Sequence, residues 1–158
     1  MPATFDHFVA AQDPVWRTAM DELRAGQKRS HWIWFAFPQL AGLGSSAMAV
    51  RYALATPDDA RAYLAHDVLR ARLLDAVSIV CEQLTQRGAS LEHLMGSHID
   101  ALKLVSSMTL FAAVAAAGNA GAPHADLDAL ALRAAAILDV AARQGFTRCA
   151  HTEAALRA

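Results

Sequence analysis

Gly96-Ser97-His98-Ile99-Asp100-Ala101-Leu102-Lys103-Leu104-Val105-Ser106-Ser107-Met108-Thr109-Leu110-Phe111 is the stretch on which the fold turns. Wound as a helix at about 100° per residue, it puts Asp100, Ser107 and Lys103 on one stripe, near about 0°, −20° and −60°. Leu102, Val105, Met108 and Leu110 cover most of the remaining circle. A helix that is apolar nearly all round is surrounded by protein. The stretch therefore predicts a buried helix, from about His98 to Ala117, that carries an acid, an amine and a hydroxyl into or beside the core. A buried charge without a partner is very costly. Two readings stay open. Asp100 and Lys103 form a structural ion pair, or Asp100, Lys103 and Ser107 line a pocket as candidate catalytic residues. A carboxylate beside an ammonium can act as general acid or base, or orient a ligand.

Outward from this helix, the chain reads as helices joined by short breaks. Thr4 is placed to cap a short helix carrying Phe5, Phe8 and Val9. Asp13-Pro14 is a cap followed by proline, and Gly26 is a stop. Ser30 is placed to cap an aromatic helix that Pro38 ends, and Ser45 or Ser46 the next. Thr56-Pro57-Asp58-Asp59 is a strong start: cap, proline, then two acids at the positive end of the helix dipole. Asp67 opens a longer helix with Leu69, Leu73, Leu74, Val77, Val80, Cys81 and Leu84 inward, closed by Gly88. Ser90 is placed to cap Leu91–Met95. After the break Gly118-Asn119-Ala120-Gly121-Ala122-Pro123, a long helix runs from Asp126 to Gln144, and a final turn from Thr152 to Leu156. No stretch has convincing strand periodicity. The expectation is an all-α, compact, single-domain helical bundle of about seven to nine helices over residues 1–158.

Bulk composition agrees with that class. The chain has 158 residues, 55% hydrophobic and 18% charged, a length that normally makes one domain. Formal net charge is −1 and the pI is near 6.6, so nothing global favours a nucleic-acid partner, and none is expected. The two cysteines, Cys81 and Cys149, form no Cys-x-x-Cys pair or disulfide framework. The N-terminus lacks a basic start followed by an apolar run, so no signal peptide is expected, and reduced thiols in a cytoplasm are the expectation. The apolar run from Val105 to Ala117 is shorter than the ~20 residues a bilayer needs, so no membrane association is expected.

A second segment stands out: Lys28-Arg29-Ser30-His31-Trp32-Ile33-Trp34-Phe35-Ala36-Phe37-Pro38-Gln39. As a helix its aromatics point in every direction and must meet protein or ligand. Two cations and a hydroxyl precede it, a composition suited to an anion at a helix N-terminus. Gly42-Leu43-Gly44-Ser45-Ser46 follows, a loop able to present N–H groups to phosphate, with Arg51 and Tyr52 beyond. It lacks the Gly-Lys-Ser/Thr of a Walker loop. Candidate ligand-binding residues are Lys28, Arg29, Ser30, His31, Trp32, Trp34, Gly42, Gly44, Ser45, Arg51 and Tyr52. The bland alternative is core aromatics, a surface basic pair and a tight turn.

The seven histidines make no His-x-x-x-His pair or His/Cys cluster, so no metal and no cofactor are expected. No nucleophile-elbow sequence supports a Ser-His-Asp triad.

Several segments also resemble the bacterial domain of unknown function 1810 family, known too as Rv1873-like. They are Phe5-Asp6-His7-Phe8-Val9 with Ala11-Gln12; Leu23-Arg24-Ala25-Gly26; Lys28 through Phe35; Phe37-Pro38-Gln39 with Gly42-Leu43-Gly44; Ala60 through Leu64; and Gly96, Asp100, Leu102-Lys103 and Ser106 through Phe111. The tail from Gly145 to Thr152 is similar to a lesser degree. The resemblance implies a compact α-helical fold and carries over no activity, substrate or catalytic residue. Some members bear the name calpastatin; an extended inhibitor should be polar and poor in aromatics, and this chain is the reverse. Members often have aromatic residues before the tail glycine, where this chain has Ala141-Ala142-Arg143-Gln144.

The functional expectation is a pocket for an anionic, nucleotide-like small molecule, with hydrolysis the suggested chemistry. The alternative is a non-catalytic interaction or stress-adaptor domain, a homodimer through the alanine-rich helix Leu127–Ala142.

Overall fold

The computed structural model describes residues 4–158. Ten α-helices follow one another: α1 Asp6–Gln12, α2 Trp16–Arg24, α3 Ile33–Ala36, α4 Ala47–Arg51, α5 Pro57–Ala65, α6 Asp67–Thr85, α7 Leu91–Met95, α8 His98–Ala116, α9 His124–Arg143 and α10 Ala150–Arg157. No strand occurs among the described residues; one isolated bridge joins Leu40 to Leu54. The number exceeds the expected seven to nine because the tail, expected as a final turn, winds a full helix as α10.

Helix α8 is the axis of the bundle. Ala101, Leu104, Val105, Met108, Leu110 and Phe111 are buried along it, and α3, α5, α7, α9 and α10 pack around it. Its length and mean hydropathy of 1.6 would suit a membrane span, but its apolar surface is mostly covered by these neighbours. Helix α9 lies along both α8 and α6, and α2 packs on α6. An aromatic cluster of Phe5, Phe8, Tyr52 and Tyr63, with edge-to-face contacts at 5.3–5.7 Å, closes the end near α1 and α5.

Local chemistry sets most helix starts. Thr56 and Asp59 make a reciprocal capping box with Pro57 in the first turn. Ser46, His66, Ser90 and Ser97 each accept a hydrogen bond from an amide of the helix they precede. Three expected caps are not made. Helix α1 starts after Phe5 without a side-chain cap, so Thr4 does not serve. Asp13-Pro14 lies in the turn before α2, where the Asp13 carboxylate takes a hydrogen bond from Arg72 instead. Ser30 turns away from α3, which begins only after Trp32.

The turn between α7 and α8 fixes the site described next. Gly96 ends α7 in the left-handed region, φ +82°, and a Cβ there would stand 2.7 Å from the Lys28 carbonyl oxygen. The Lys28 amide in turn donates to the Leu94 carbonyl at 2.7 Å. The segment after α2 is thereby laid across the start of α8.

Candidate functional site

The two singled-out segments meet. Lys28, with 5% of its side chain exposed, reaches over the α7–α8 turn, and its Nζ lies 2.8 Å from Asp100 Oδ2. The ammonium also donates to the Ser30 carbonyl at 2.6 Å and sits 5.1 Å from the Trp32 ring centroid. Lys28 is thus fully engaged within the protein.

Glu22, at the end of α2, organises the rest of this segment. Its carboxylate accepts from the Arg29 amide (2.8 Å), the Ser30 amide (2.9 Å), the Ser30 hydroxyl and the Trp32 indole N–H (3.0 Å). Burial pushes its pKa up, but these donors outweigh it and hold the group at about 2. Ser30 and Trp32 are therefore committed to structure, and Trp32 is fully buried. Nothing in the spacing of the sequence marked Glu22 as their partner.

The expected stripe on α8 splits. Asp100 belongs to Lys28. Lys103 makes no ion pair among the described residues and lies over the Trp34 ring, 5.2 Å from Nζ to the centroid. Ser107 is fully buried, and its hydroxyl, like the Trp34 indole nitrogen, has no hydrogen-bond partner among the described residues. Asp100, Lys103 and Ser107 thus do not converge on one space.

What lies beside them is a groove made of adjoining hollows. The first, about 300 Å³, is walled by Lys28, Arg29, His31, Met95, Gly96, Ser97, Ile99 and Asp100. The second, about 400 Å³, is walled by Gln39, Leu43, Ile99, Leu102, Lys103, Val105, Ser106, Thr147, Arg148, Cys149 and Ala150. Ile99 is common to both. A third, about 90 Å³, lies against Trp34, Gly42, Gly44 and Tyr52, and shares Gln39 and Leu43 with the second. Ile99, Leu102, Lys103 and Ser106 fall at helical positions i, i+3, i+4 and i+7, one face of α8.

Charge is segregated along this groove. Lys28, Arg29, Lys103 and Arg148 line the two larger hollows, and Asp100, neutralised by Lys28, is the one carboxylate that does. Arg29, Lys103 and Arg148 have no carboxylate within ion-pair distance among the described residues. The second hollow has no acid in its wall, and Leu43, Ile99 and Leu102, 37%, 64% and 48% exposed, form an apolar rim.

Cys149 faces the same hollow from the N-terminus of α10. Burial raises its pKa, but the Thr152 hydroxyl and amide, the Ser106 hydroxyl and the His151 amide outweigh it, so the thiol lies below the ordinary value of 9.0. These are donors to the sulfur at the start of α10 and on α8, and they favour the thiolate. The tail is anchored to α8 by the Cys149 amide, which donates to Thr109 Oγ1 at 3.3 Å.

The remaining expected residues lie farther out. Ser45 is exposed on the loop before α4. Arg51 stacks on its neighbour Tyr52, 5.6 Å to the ring centroid, and its Nε donates to the Tyr52 hydroxyl at 3.3 Å. Gly42 lies against the His151 ring, whose nitrogen is 2.9 Å from the Ala41 carbonyl. On α9, Leu127, Leu130 and Leu138 turn inward and Leu132 outward. Among the described residues no group of three or more His, Cys, Asp or Glu gathers in a metal-binding arrangement.

The model of the protein family DUF1810, described as a protein of unknown function, matches residues 2–127. This chain belongs to the DUF1810 family. It is similar to a solved structure, the conserved hypothetical protein Rv1873 from Mycobacterium tuberculosis. Sequence identity is 43% and the TM-score 0.67, with 90% of this chain and 96% of that chain covered. No curated protein matches the chain. The DUF1810 match takes in the Lys28 segment and α8 but stops before Thr147-Arg148-Cys149, so part of the groove wall lies outside it.

Proposed function

We propose that this protein binds a small organic anion with a flat or apolar body, of nucleotide-like chemistry, in the groove along α8. One observation carries the reading: Lys103 and Arg148, without carboxylate partners, face a hollow of about 400 Å³ whose wall holds no acid and whose rim is apolar. Ligand pockets for small molecules commonly span about 300–1,000 Å³ and combine apolar walls with a few placed polar groups. A lone cation at a surface is ordinary; two unpaired cations beside Leu43, Ile99 and Leu102 are complementary to an anion attached to a ring or short chain. Gln39 and Ser106 add hydrogen-bonding groups to the same wall. The single acid nearby, Asp100, has its charge satisfied by Lys28 and does not oppose an anion.

Isothermal titration calorimetry with nucleoside monophosphates, sugar phosphates and aromatic carboxylates tests the reading. At least one class should bind with millimolar or better affinity, and Arg148→Ala and Lys103→Met should each weaken it by about tenfold, the range of one charge-assisted contact. If no class binds at millimolar concentration, or if both variants bind as the parent does, the groove is not an anion site.

A further inference from the structure

Resting on the binding reading above, we infer that the ligand carries two separated anionic groups and lies along α8, with its body over Ile99. The two larger hollows are adjoining compartments with Ile99 as the common wall. Each compartment has its own cationic side chain free of carboxylate partners: Lys103 and Arg148 on one side, Arg29 on the other. Arg29 uses only its backbone amide for Glu22, which leaves the guanidinium available, and the exposed His31 ring beside it has no hydrogen-bond partner among the described residues.

Geometry favours one ligand across both compartments over two independent ions. Helix α8 advances about 1.5 Å per residue, so Ile99 and Lys103 are about 6 Å apart along its axis. The residues of α8 that wall the two compartments, Ile99 and Asp100 on one side and Ile99, Leu102 and Lys103 on the other, thus lie within about one or two turns of each other. Between the cationic ends stands the Ile99 side chain, 64% exposed, an apolar surface suited to a ring or ribose face. A monoanion could satisfy one end only. Lys28 does not compete for the second group, since Asp100 and the Ser30 carbonyl occupy it. The chemical class is therefore a nucleoside bisphosphate or an equivalent doubly anionic small molecule.

The test is calorimetric, on the full chain, with three probes: inorganic phosphate, a nucleoside monophosphate, and the nucleoside bisphosphate whose second phosphate lies on the opposite side of the ribose. The bisphosphate should bind about tenfold tighter than the monophosphate. The double variant Arg29→Ala/His31→Ala should erase that gain, so that the bisphosphate binds the variant no tighter than the monophosphate does. Both side chains are at the surface, and an unchanged circular dichroism spectrum checks that the variant folds. If the monophosphate binds and the bisphosphate binds no tighter, or if the gain survives in the double variant, the two-anion inference is overturned while the binding reading stands. If none of the probes binds, the inference falls, and the binding reading falls with it when the sugar phosphates and aromatic carboxylates fail as well.

Discussion

Lys28 Nζ and Asp100 Oδ2 stand 2.8 Å apart, and the ion pair fastens the segment after α2 to the first turn of α8. The carboxylate lies in the turn where the helix dipole is positive, which favours it there independently of the lysine. The lysine has no such second support for its charge beyond the Ser30 carbonyl and the Trp32 face. The pair is asymmetric: the amine needs the acid more than the acid needs the amine.

That asymmetry gives a double-mutant prediction. Asp100→Asn leaves a 5%-exposed ammonium without its counter-charge and should cost about 3 kcal/mol, the size expected for an orphaned buried charge. Lys28→Met leaves a carboxylate that is 18% exposed and can turn toward water, so about 1–2 kcal/mol should be lost. The double variant should cost less than the two together. Urea unfolding measures all three, and strictly additive losses would show that the pair is not coupled.

Gly96 is the hinge that makes this meeting geometrically possible. Its φ of +82° disfavours any side chain, and a Cβ would press on the Lys28 carbonyl oxygen at 2.7 Å. Gly96→Ala should destabilise by about 1–3 kcal/mol, the usual cost of such a backbone conformation with a methyl group. It should also weaken any ligand that uses Arg29, because the contact pushes the Lys28–Arg29 segment off α8. Gly88→Ala is the comparison: its φ is +67° but no atom lies within 4 Å of the added Cβ. A loss for Gly96 no larger than for Gly88 would remove the close-approach argument.

Glu22 predicts how the fold responds to acid. Its folded pKa of about 2 lies below the ordinary value of 4.5. Its stabilising contribution is therefore complete above the ordinary value and drains away as pH falls through that window toward the folded one. Glu22→Gln keeps the shape but loses the charge that four donors address, and should cost about 2 kcal/mol at neutral pH. It should also flatten the acid limb of a stability-against-pH curve. Parallel acid limbs for parent and variant would mean that Glu22 is not the group responsible.

The helices were legible in the sequence because their signals are local. Thr56-Pro57 with Asp59 caps its own helix, and the all-round apolar pattern of α8 is a property of α8 alone. Ser30 misled because its hydroxyl found a carboxylate on α2, an option that no local pattern displays. The site was legible only in outline. Counting angles from Asp100 selected Ser107, whereas the groove face is set by Ile99, one residue earlier, and carries Ser106. The one-residue offset moves the face by about 100°, enough to exchange Ser107, which lines neither large hollow, for Ser106, which lines the second. Arg148 and Cys149 come to α8 through tertiary packing of the tail, fixed by the Thr109 hydroxyl, and no spacing rule links them to Lys103.

Cys149 offers a chemical probe of the groove that needs no knowledge of the ligand. Two influences oppose at its sulfur: partial burial, which disfavours the thiolate, and the donors of Thr152, Ser106 and His151, which favour it and prevail. The thiolate fraction at neutral pH is therefore larger than for an ordinary cysteine, and iodoacetamide should alkylate Cys149 with a pH midpoint below 9.0. Thr152→Ala removes a hydroxyl donor beside the sulfur and should move that midpoint upward, although the buried Thr152 side chain also packs against α8 through Ser106. Ser106→Ala, with the same direction and a smaller packing change, separates the two effects. Because Cys149 shares its hollow with Lys103 and Arg148, any anion bound there should slow the alkylation, while the rate at Cys81, on α6 and away from the groove, should not change. Mass spectrometry of the two cysteine peptides reads both rates in one reaction. Equal protection of Cys81 and Cys149 would indicate general stabilisation of the fold, and protection of neither by a ligand that calorimetry shows to bind would place that ligand outside the groove.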